Sequence, residues 1–421
     1  MNVTGIIAEY NPFHKGHEHH LKEARESLNS DYIVVVMSGN YVQRGAPTII
    51  DKYSRAEMAL KCGADLVLEL PACFSTASAE YFAYGGVAIL DRLNVVDNLC
   101  FGTESLDDSM DSSDRTAVIG KFADIAEVLM DEPQEYRTVL KEGLRSGLSH
   151  AAAASAAITA VLGAEYADLM EKSNNILGVE YMRAIRTLDS SIKAFPVARK
   201  LSSHKDTQIT NGFSSATSIR NSIFNRYDVN SLASTVPKEV LDILADRYLV
   251  TFPIFRDDFS IILGEKLLSA ANAAELTQYF GVPSDLANRF MKLRNEYRTF
   301  NQFRELVYTK NMNKATVGRA LMHITLGIKE SYMQMIYSSR NLNAVKVLGF
   351  RESAGPLLSE IKKKSDITMV TKLADYRPDP DDDGVDMIEQ TTRTDFLYRM
   401  VAMNKYDVDI PTPYEQEIII V

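Results

Sequence analysis

Four of the seven histidines lie within residues 9–20, in the segment EYNPFHKGHEHH. His14 and His17 are three residues apart, so on a helix their side chains lie on the same side of one turn. Gly16 between them has no side chain that could block the close approach of a ligand. Residues of this type and spacing can coordinate a metal ion, donate hydrogen bonds to phosphate oxygens, or lie on a solvated helix face.

The local sequence distinguishes between these three kinds of site. A metal site could combine His14, His17 and His20, but the segment has neither an HExxH pattern nor a cysteine, which disfavours it. A solvated helix face explains His19 and His20 well. It explains His14 and His17 less well, because both belong to the specific string NPFHKGH. Phosphate binding is therefore the favoured hypothesis for this pair.

The elements that must position the pair alternate between strands and helices. Short apolar runs predict strands at residues 3–8, 32–38, 65–70, 98–101 and 192–197. Apolar residues three and four apart predict amphipathic helices at 16–28, 51–62 and 78–90. Continuous apolar strands such as YIVVVMS are typical of parallel strands that are buried on both faces. We therefore predict an α/β fold with a Rossmann-like, doubly wound parallel sheet.

The histidine pair lies where the first strand passes into the first helix. Asn11 and Pro12 form a turn signal directly after that strand. In open α/β sheets, ligands bind outside the carboxyl ends of the strands. A helix start also offers free backbone N–H groups and a partial positive charge to an anion. The placement predicts an anion-binding site at this junction.

The second half of the chain has a different pattern. Helices with few β-branched runs are predicted at 237–245, 257–271, 273–280, 284–293, 301–308 and 316–326. A chain of 421 residues usually forms more than one domain. We therefore predict a first domain at residues 1–230 and a mainly helical domain at residues 231–421.

The composition excludes several classes of protein. The chain is 46% hydrophobic and 24% charged, which is ordinary for a globular protein. Three cysteines without a CxxC pair make a disulfide framework untenable, and they indicate a reducing, cytoplasmic environment. We expect no signal peptide and no membrane span. The net charge of −10 disfavours a wholly basic nucleic-acid-binding surface but leaves room for a local one.

Several motifs carry a family resemblance. NPFHKGH resembles the HxGH signature of the nucleotidyltransferase superfamily, and SATSIR at 215–220 resembles its second signature, a helix start that holds ATP phosphates. Together with VMSGNYVQRGAPTIIDKYSRAEMALKCGADLVLELP, FGTES and NNILGVEY, they make the chain similar to the tRNA(Met) cytidine acetate ligase family. The resemblance implies that ATP activates acetate as acetyl-adenylate, and that the acetyl group is transferred to N4 of the wobble cytidine of elongator tRNA(Met).

The resemblance also implies the residues of the site. His14, His17 and Arg220 are implied as the catalytic residues. The implied ATP-binding residues are Ile7, Ala8, Glu9, Tyr10, Asn11, Pro12, Phe13, His14, Lys15, Gly16, His17, Glu18, His19, His20, Gly102, Asn174, Arg199, Ser215 and Thr217. Asn174 is preferred to its neighbour Asn175. Mg²⁺ is expected to accompany ATP, and no protein-bound metal is predicted.

Four further polar residues follow the second strand. Gln43 and Arg44 are candidates for the site that rank below the histidines. Lys52 and Arg55, at the start of the next helix, are expected to be surface charges. His204 lies in SSHKD, where the family more often shows Tyr-His-Asp, so a catalytic role for it is disfavoured.

The second half would supply the RNA contacts. In this interpretation residues 1–230 bind ATP and acetate and residues 231–421 bind tRNA, because cations alternate there with aromatic residues. The candidate tRNA-binding residues are Lys310, Lys314, Arg319, Lys362, Lys363 and Lys364.

Two other functions remain open. A small-molecule adenylyltransferase of cofactor biosynthesis uses the same two signatures, although such enzymes rarely have so long a helical extension. A non-catalytic RNA-binding protein with a vestigial nucleotide pocket is the other alternative. The intact His14, His17 and Arg220 argue against a vestigial pocket.

Overall fold

The structure is a computed structural model that describes residues 1–107, 109–199, 215–226, 229–309, 312–339, 342–378 and 387–421. His204 and Lys310 therefore lie outside the described residues. The described strands are β1 (Val3–Ala8), β2 (Tyr32–Ser38), β3 (Tyr41–Val42), β4 (Ala46–Pro47), β5 (Leu66–Leu70), β6 (Asn98–Thr103), β7 (Lys193–Ala198), β8 (Ala344–Phe350), β9 (Thr368–Val370) and β10 (Ile419–Ile420).

Helices surround these strands. The described α-helices of the first half are α1 (Lys15–Ser27), α2 (Lys52–Lys61), α3 (Ala72–Ser75), α4 (Ala79–Arg92), α5 (Ser112–Asp131), α6 (Gln134–Arg145), α7 (His150–Leu162), α8 (Ser173–Thr187) and α9 (Ala216–Arg226). Those of the second half are α10 (Lys238–Arg247), α11 (Ser260–Ser269), α12 (Ala273–Leu276), α13 (Ser284–Leu293), α14 (Phe300–Val307), α15 (Lys314–Leu326), α16 (Glu330–Ser339), α17 (Gly355–Lys364) and α18 (Met387–Tyr406). In the described part of the chain, no helix combines the length and the apolarity needed to cross a membrane.

The central sheet has the strand order β10-β8-β5-β2-β1-β6-β7, with β9 paired to β8. The pairs among β5, β2, β1, β6 and β7 are all parallel. This arrangement confirms the predicted Rossmann-like, doubly wound sheet. β8 pairs with β5 in the antiparallel direction, so the complete sheet is mixed. β1 lies inside the sheet, and the site that follows it is flanked by β2 on one side and β6 on the other.

Alternating residues of one strand show why helices cover both faces. Ile33 and Val35 of β2 belong to an apolar core that includes residues of α1, α2 and α9. Val34 and Val36 belong to a second core that includes residues of α4, α5 and α8. All four side chains are fully buried. A strand with two buried faces must be apolar at every position, which is the pattern that predicted it.

The second half of the chain extends this fold rather than standing apart from it. Phe290 of α13 and Phe303 of α14 belong to the same continuous core as Val34 of the sheet. β8, which the sequence pattern did not predict, adds a strand to the sheet. Its sequence AVKVLGF contains the buried Lys346, whose charge obscures the apolar run. The division into functional domains at residue 230 stays a prediction.

Candidate active site

The start of α1 holds His14 and His17 in defined orientations. Nδ1 of His14 accepts a hydrogen bond from the N–H of Gly16 at 3.1 Å, and the N–H of His14 donates to Nδ1 of His17 at 3.3 Å. The two rings stack with 3.6 Å between their centroids and 17° between their planes. Because both Nδ1 atoms accept hydrogen bonds, the proton of each neutral ring lies on Nε2. Each ring can therefore donate one hydrogen bond to a ligand in the cavity that both residues line.

Burial keeps both imidazoles neutral. His14 is 2% exposed, and desolvation, with a smaller effect of Arg199 and Arg220, lowers its pKa to about 3. Desolvation, with a smaller effect of His14 and Arg199, lowers the pKa of His17 well below its ordinary value. A neutral imidazole donates a hydrogen bond but carries no net charge. Positive charge in this cavity must therefore come from its arginines.

One such arginine, Arg220, lies on the second turn of α9. Its Nη1 donates to the backbone oxygen of Asn11 at 2.7 Å, and its Nη2 donates to Oγ1 of Thr217 at 3.0 Å. Burial lowers its pKa to about 10, with Glu9 acting in the opposite direction, so the guanidinium stays cationic at neutral pH. The α9 side of the cavity thus presents a full positive charge close to the turn that leads to the histidines.

The start of α9 itself also faces the cavity. Oγ of Ser215 accepts a hydrogen bond from the N–H of Ser218 at 3.2 Å, so it acts as a cap for this helix. Ser215, Ala216 and Thr217 line the cavity. The first N–H groups of a helix have no acceptor within the helix and are suited to phosphate oxygens. The starts of α1 and α9 therefore form one anion-binding region.

A second group of cavity residues comes from β6, α8 and the end of β7. Gly102, Asn174 and Arg199 all line the cavity. Nη1 of Arg199 lies 3.7 Å from Oε1 of Glu104, and Nδ2 of Asn174 donates to the same oxygen. A Cβ atom added at Gly102 would lie 3.9 Å from Cβ, Cγ and Cδ of Arg199, so Gly102 lies next to the aliphatic part of that side chain.

The two neighbouring asparagines have different surroundings. Asn175 is fully buried, and its Oδ1 accepts hydrogen bonds from Oγ1 of Thr103 at 2.7 Å and from the N–H of Glu104 at 3.2 Å. Its Nδ2 donates to Oγ of Ser105 at 2.9 Å. These bonds hold the loop after β6, whereas Asn174 lines the cavity. The geometry favours Asn174 as the ligand contact, which stays a prediction.

Most of the residues implied by the sequence come together around this cavity. The implied residues that line it are Ile7, Ala8, Glu9, Tyr10, Asn11, His14, Gly16, His17, His19, His20, Gly102, Asn174, Arg199, Ser215, Thr217 and Arg220. Pro12, Phe13, Lys15 and Glu18 are not among the lining residues. Phe13 is fully buried in the core under α1, and Nζ of Lys15 donates to the backbone oxygen of Ser234 at 2.9 Å. Their individual roles in ATP binding stay predictions.

The structure also brings in residues that the sequence did not single out. These further lining residues are Glu23, Phe82, Phe101, Ser173, Leu177, Tyr181, Val197, Ala198 and Ala216. Phe101, Val197 and Ala198 lie near the carboxyl ends of β6 and β7, so their position in the strands could have identified them. Leu177 and Tyr181 of α8 lie within the motif NNILGVEY, whereas Phe82 of α4 gave no local signal. The weaker candidates Gln43 and Arg44 line the cavity as well.

The expectation that Lys52 and Arg55 are surface charges is wrong. They are 1% and 0% exposed. Nη1 of Arg55 donates to the backbone oxygens of Glu9 at 2.8 Å and Ser38 at 2.9 Å, so it holds the ends of β1 and β2 together. Backbone oxygens at strand ends need donors when they are buried, and Arg55 supplies them from α2. The sequence could not show this, because the acceptors are backbone atoms.

The candidate RNA-binding residues occupy two separate helices. Those in the described chain are Lys314 and Arg319 on α15 and Lys362, Lys363 and Lys364 at the end of α17. Lys314 pairs with Glu305 at 2.5 Å, and Lys363 pairs with Glu360 at 3.0 Å. α15 lies next to the cavity, since its Gly318 packs against Gly45 in the turn that carries Arg44. The role of these cations stays a prediction.

Within the described residues, no group of three or more His, Cys, Asp or Glu side chains is arranged to hold a metal ion. The stacked histidines instead use their Nδ1 atoms as acceptors for backbone N–H groups. Each ring is left with a protonated Nε2, which is a hydrogen-bond donor and not a metal ligand in that state.

The whole chain is similar to known nucleotidyl transferases. The family model HIGH Nucleotidyl Transferase matches residues 1–410. The tRNA(Met) cytidine acetate ligase of Acetivibrio thermocellus is 37% identical over 382 residues, which cover 89% of this chain and 89% of that protein. The apo crystal structure of Thermotoga maritima TmcAL is 29% identical, with a TM-score of 0.91 over 100% of both chains. Another crystal structure of TmcAL, bound with alpha-thio ATP, is also 29% identical and has a TM-score of 0.86 over 100% of this chain and 99% of that chain.

Proposed function

The chain belongs to the tRNA(Met) cytidine acetate ligase family of HIGH nucleotidyl transferases and is an ATP-dependent ligase, and we propose that it forms acetyl-adenylate and acetylates tRNA. The acceptor in this proposal is N4 of the wobble cytidine of elongator tRNA(Met). The observation that carries the proposal is the stacked pair His14 and His17 beside the guanidinium of Arg220. Two neutral donors and a cation whose hydrogen bonds go to neutral oxygens are suited to a chain of phosphates.

In the first step, an oxygen of acetate attacks the α-phosphorus of ATP. A new P–O bond forms while the bond from that phosphorus to the α–β bridging oxygen breaks, and pyrophosphate leaves with the electron pair. The Nε2–H groups of His14 and His17 donate to oxygens of the α- and β-phosphates, where negative charge develops. Arg220 and the amides at the start of α9 bind the β- and γ-phosphates. Mg²⁺ would accompany ATP as part of the substrate.

The nucleoside part of ATP lies on the other side of the histidines in this proposal. Gly102 lets the nucleoside approach the backbone of β6, and Asn174 and Arg199 contribute polar contacts from α8 and β7. Their placement around one cavity supports this orientation. The TmcAL structure with alpha-thio ATP supports ATP as the nucleotide.

In the second step, N4 of cytidine attacks the carbonyl carbon of acetyl-adenylate. The C–N bond forms, the bond from that carbon to the phosphate oxygen breaks with AMP taking the electron pair, and the nitrogen loses a proton to solvent. Single-stranded RNA loops present bases that can be unstacked into such a cavity. Lys314 and Arg319 on α15, which packs beside the cavity, would contact the RNA backbone. We place the enzyme in the cytoplasm, where tRNA is modified.

ATP–pyrophosphate exchange tests the first step, and acetylation of tRNA tests the second. The proposal expects exchange that requires acetate and proceeds without tRNA, followed by N4-acetylcytidine in elongator tRNA(Met). Exchange that requires a mononucleotide instead of acetate would identify a small-molecule adenylyltransferase. Absence of exchange with any acid, combined with tight tRNA binding, would identify an RNA-binding protein.

His17→Ala should lower the exchange rate about 10²–10³-fold, because one donor to the developing charge is lost. Its affinity for tRNA should stay close to that of the unmodified protein. His150→Ala is the matched control, because His150 is exposed at the start of α7. A loss of tRNA affinity as large as the loss of exchange would indicate misfolding, and an unchanged exchange rate would contradict the proposal.

A further inference from the structure

The turn between β3 and β4, residues 42–45, forms one wall of the cavity, and we call it the hairpin tip. The N–H of Gly45 donates to the backbone oxygen of Val42 at 2.9 Å and closes the turn. The N–H of Gln43 donates to Oε1 of Glu9 at 2.9 Å, which joins the tip to the end of β1. Gln43 and Arg44 both line the cavity.

The side chain of Gln43 has an unused donor. Its Nε2 is buried and makes no hydrogen bond to any atom of the described residues. A buried amide group without a partner is destabilising by about 1–3 kcal/mol, so native proteins rarely keep one without a reason. Because Gln43 lines the cavity, a rotation of its amide group would bring this donor to a bound ligand that supplies the missing acceptor. Arg44 next to it is exposed and adds a guanidinium.

The second half of the chain holds the hairpin tip in place. Nε of Arg256 donates to the backbone oxygen of Gly45 at 2.8 Å, and its Nη2 donates to that of Arg44 at 2.9 Å. Gly45 has a φ of +61°, and a Cβ atom there would lie 2.2 Å from the carbonyl carbon of Gly318 in α15. The base of the hairpin is held as well, because the hydroxyl of Tyr41 donates to the backbone oxygen of Thr394 at 3.0 Å. The tip is therefore a rigid part of the cavity.

The hairpin tip and the proposed nucleotide contacts come from different elements around the cavity. Gly102 and Arg199 belong to β6 and the end of β7, on one side of β1 in the sheet. The hairpin tip belongs to a separate two-stranded sheet and is joined to the end of β1 by the Gln43–Glu9 hydrogen bond. A nucleotide held from β6 and β7 with its phosphates at the histidines leaves the hairpin tip to contact the second substrate.

We propose that Gln43 and Arg44 bind the carboxylate of the acid substrate and orient it toward the α-phosphorus; this inference rests on the proposed function. A guanidinium can donate two parallel hydrogen bonds to one carboxylate, and the Gln43 amide supplies a further donor. Both groups act on the ground-state carboxylate, so they set its affinity and direction of approach. Arg256 and α15 hold the hairpin tip, so the second half of the chain shapes the acid site in addition to making the RNA contacts proposed above.

Exchange kinetics test this assignment with acetate varied at saturating ATP and with ATP varied at saturating acetate. Arg44→Ala and Gln43→Leu should each raise the KM for acetate about 10–100-fold, which corresponds to the loss of hydrogen bonds to a charged group. The KM for ATP should change less than about twofold. Arg44→Lys should recover only part of the loss, since an ammonium cannot form the paired contact.

Two glycine variants test whether the position of the hairpin tip, and not strain at a positive φ, determines the KM for acetate. Gly45→Ala should raise the KM for acetate, because the new Cβ displaces the tip from α15. Gly147→Ala is the control, since Gly147 also has a positive φ, of +88°, but has no neighbour within 4 Å of the added Cβ. Thermal unfolding of both variants should show that each is folded before their kinetics are compared.

Three outcomes would overturn the inference. An unchanged KM for acetate in Arg44→Ala, with acetate-dependent exchange in the unmodified protein, would contradict it and leave the proposed function intact. An equal rise in the KM for ATP would assign Arg44 to the phosphates. If Arg44→Ala raised only the KM for tRNA in the acetylation reaction, Arg44 would be assigned to an RNA phosphate. Exchange that does not depend on acetate in the unmodified protein would instead refute the proposed function.

Discussion

Two cations of this protein, Lys52 and Arg220, have opposite surroundings. Nζ of Lys52 donates to the two carboxylate oxygens of Glu69 at 2.6 and 2.7 Å and to Oδ2 of Asp395. Burial lowers the pKa of Lys52, but the two carboxylates outweigh it, so the net shift is upward. Arg220 donates to neutral oxygens of Asn11 and Thr217, and burial lowers its pKa to about 10.

The difference in partners, together with access to the cavity, distinguishes the roles of these two cations. Lys52 joins α2 to Glu69 of β5 and Asp395 of α18, so its charge is compensated within the protein. Among the described residues, Arg220 donates to neutral oxygens and has no carboxylate within ion-pair distance, so an anion bound nearby would stabilise its charge. We infer that the compensated Lys52 cluster maintains the fold. Arg220 belongs to the site because it also lines the cavity, whereas Arg55 has only neutral partners, lies outside the cavity lining and holds strand ends together.

The largest expected effect is on the Lys52 cluster. Lys52→Met should lower the free energy of unfolding by about 3–5 kcal/mol, because two buried carboxylates lose their shared partner. Lys61→Met on the same helix is the matched control. Its exposed pair with Glu57, at 2.6 Å, should be worth only about 0–1 kcal/mol. Urea denaturation measures both, and equal losses would contradict the distinction.

A smaller effect, on ATP binding and not on stability, is expected at Arg220. Arg220→Gln should weaken ATP binding about 10–100-fold, since hydrogen bonds to a charged group are lost. The free energy of unfolding without ATP should change by less than about 1 kcal/mol, because no compensated pair is broken. Calorimetric titration with ATP and urea denaturation measure the two quantities. A large loss of stability with unchanged ATP affinity would reverse our assignment.

Near neutral pH, the smallest expected effect is a pH dependence from His14, because it sets in only below about pH 6.5. Its pKa of about 3 in the folded protein lies below the unfolded value near 6.5. Between these values the unfolded chain binds a proton that the folded chain does not, so the free energy of unfolding falls as the pH is lowered from about 6.5 toward 3.

The substitution His14→Asn should make this decline shallower, because asparagine can still cap α1 but does not titrate. Urea denaturation at a series of pH values measures the slope, with His150→Asn as the control at an exposed histidine. If His14→Asn shows the same slope as the unmodified protein, His14 is not buried as a neutral group.

Sequence alone was sufficient where the decisive contacts are local. The apolar strands and amphipathic helices predicted the doubly wound sheet, because residue periodicity directly reports which faces are buried. The histidine pair was identified from a spacing of three residues. In the structure, the hydrogen bonds that orient both rings also span only two or three residues. Such contacts form within one turn, so a short motif specifies them.

Only the tertiary structure decided which charges are buried and what holds the hairpin tip. Lys52 meets Asp395 across 343 positions of sequence, and Arg256 meets Gly45 across 211. β8 joins the sheet by pairing with β5, and no local sequence pattern predicted that pairing. Contacts over such separations depend on how the whole chain packs. A lysine at a helix start looks the same in sequence whether its partner is water or a distant carboxylate.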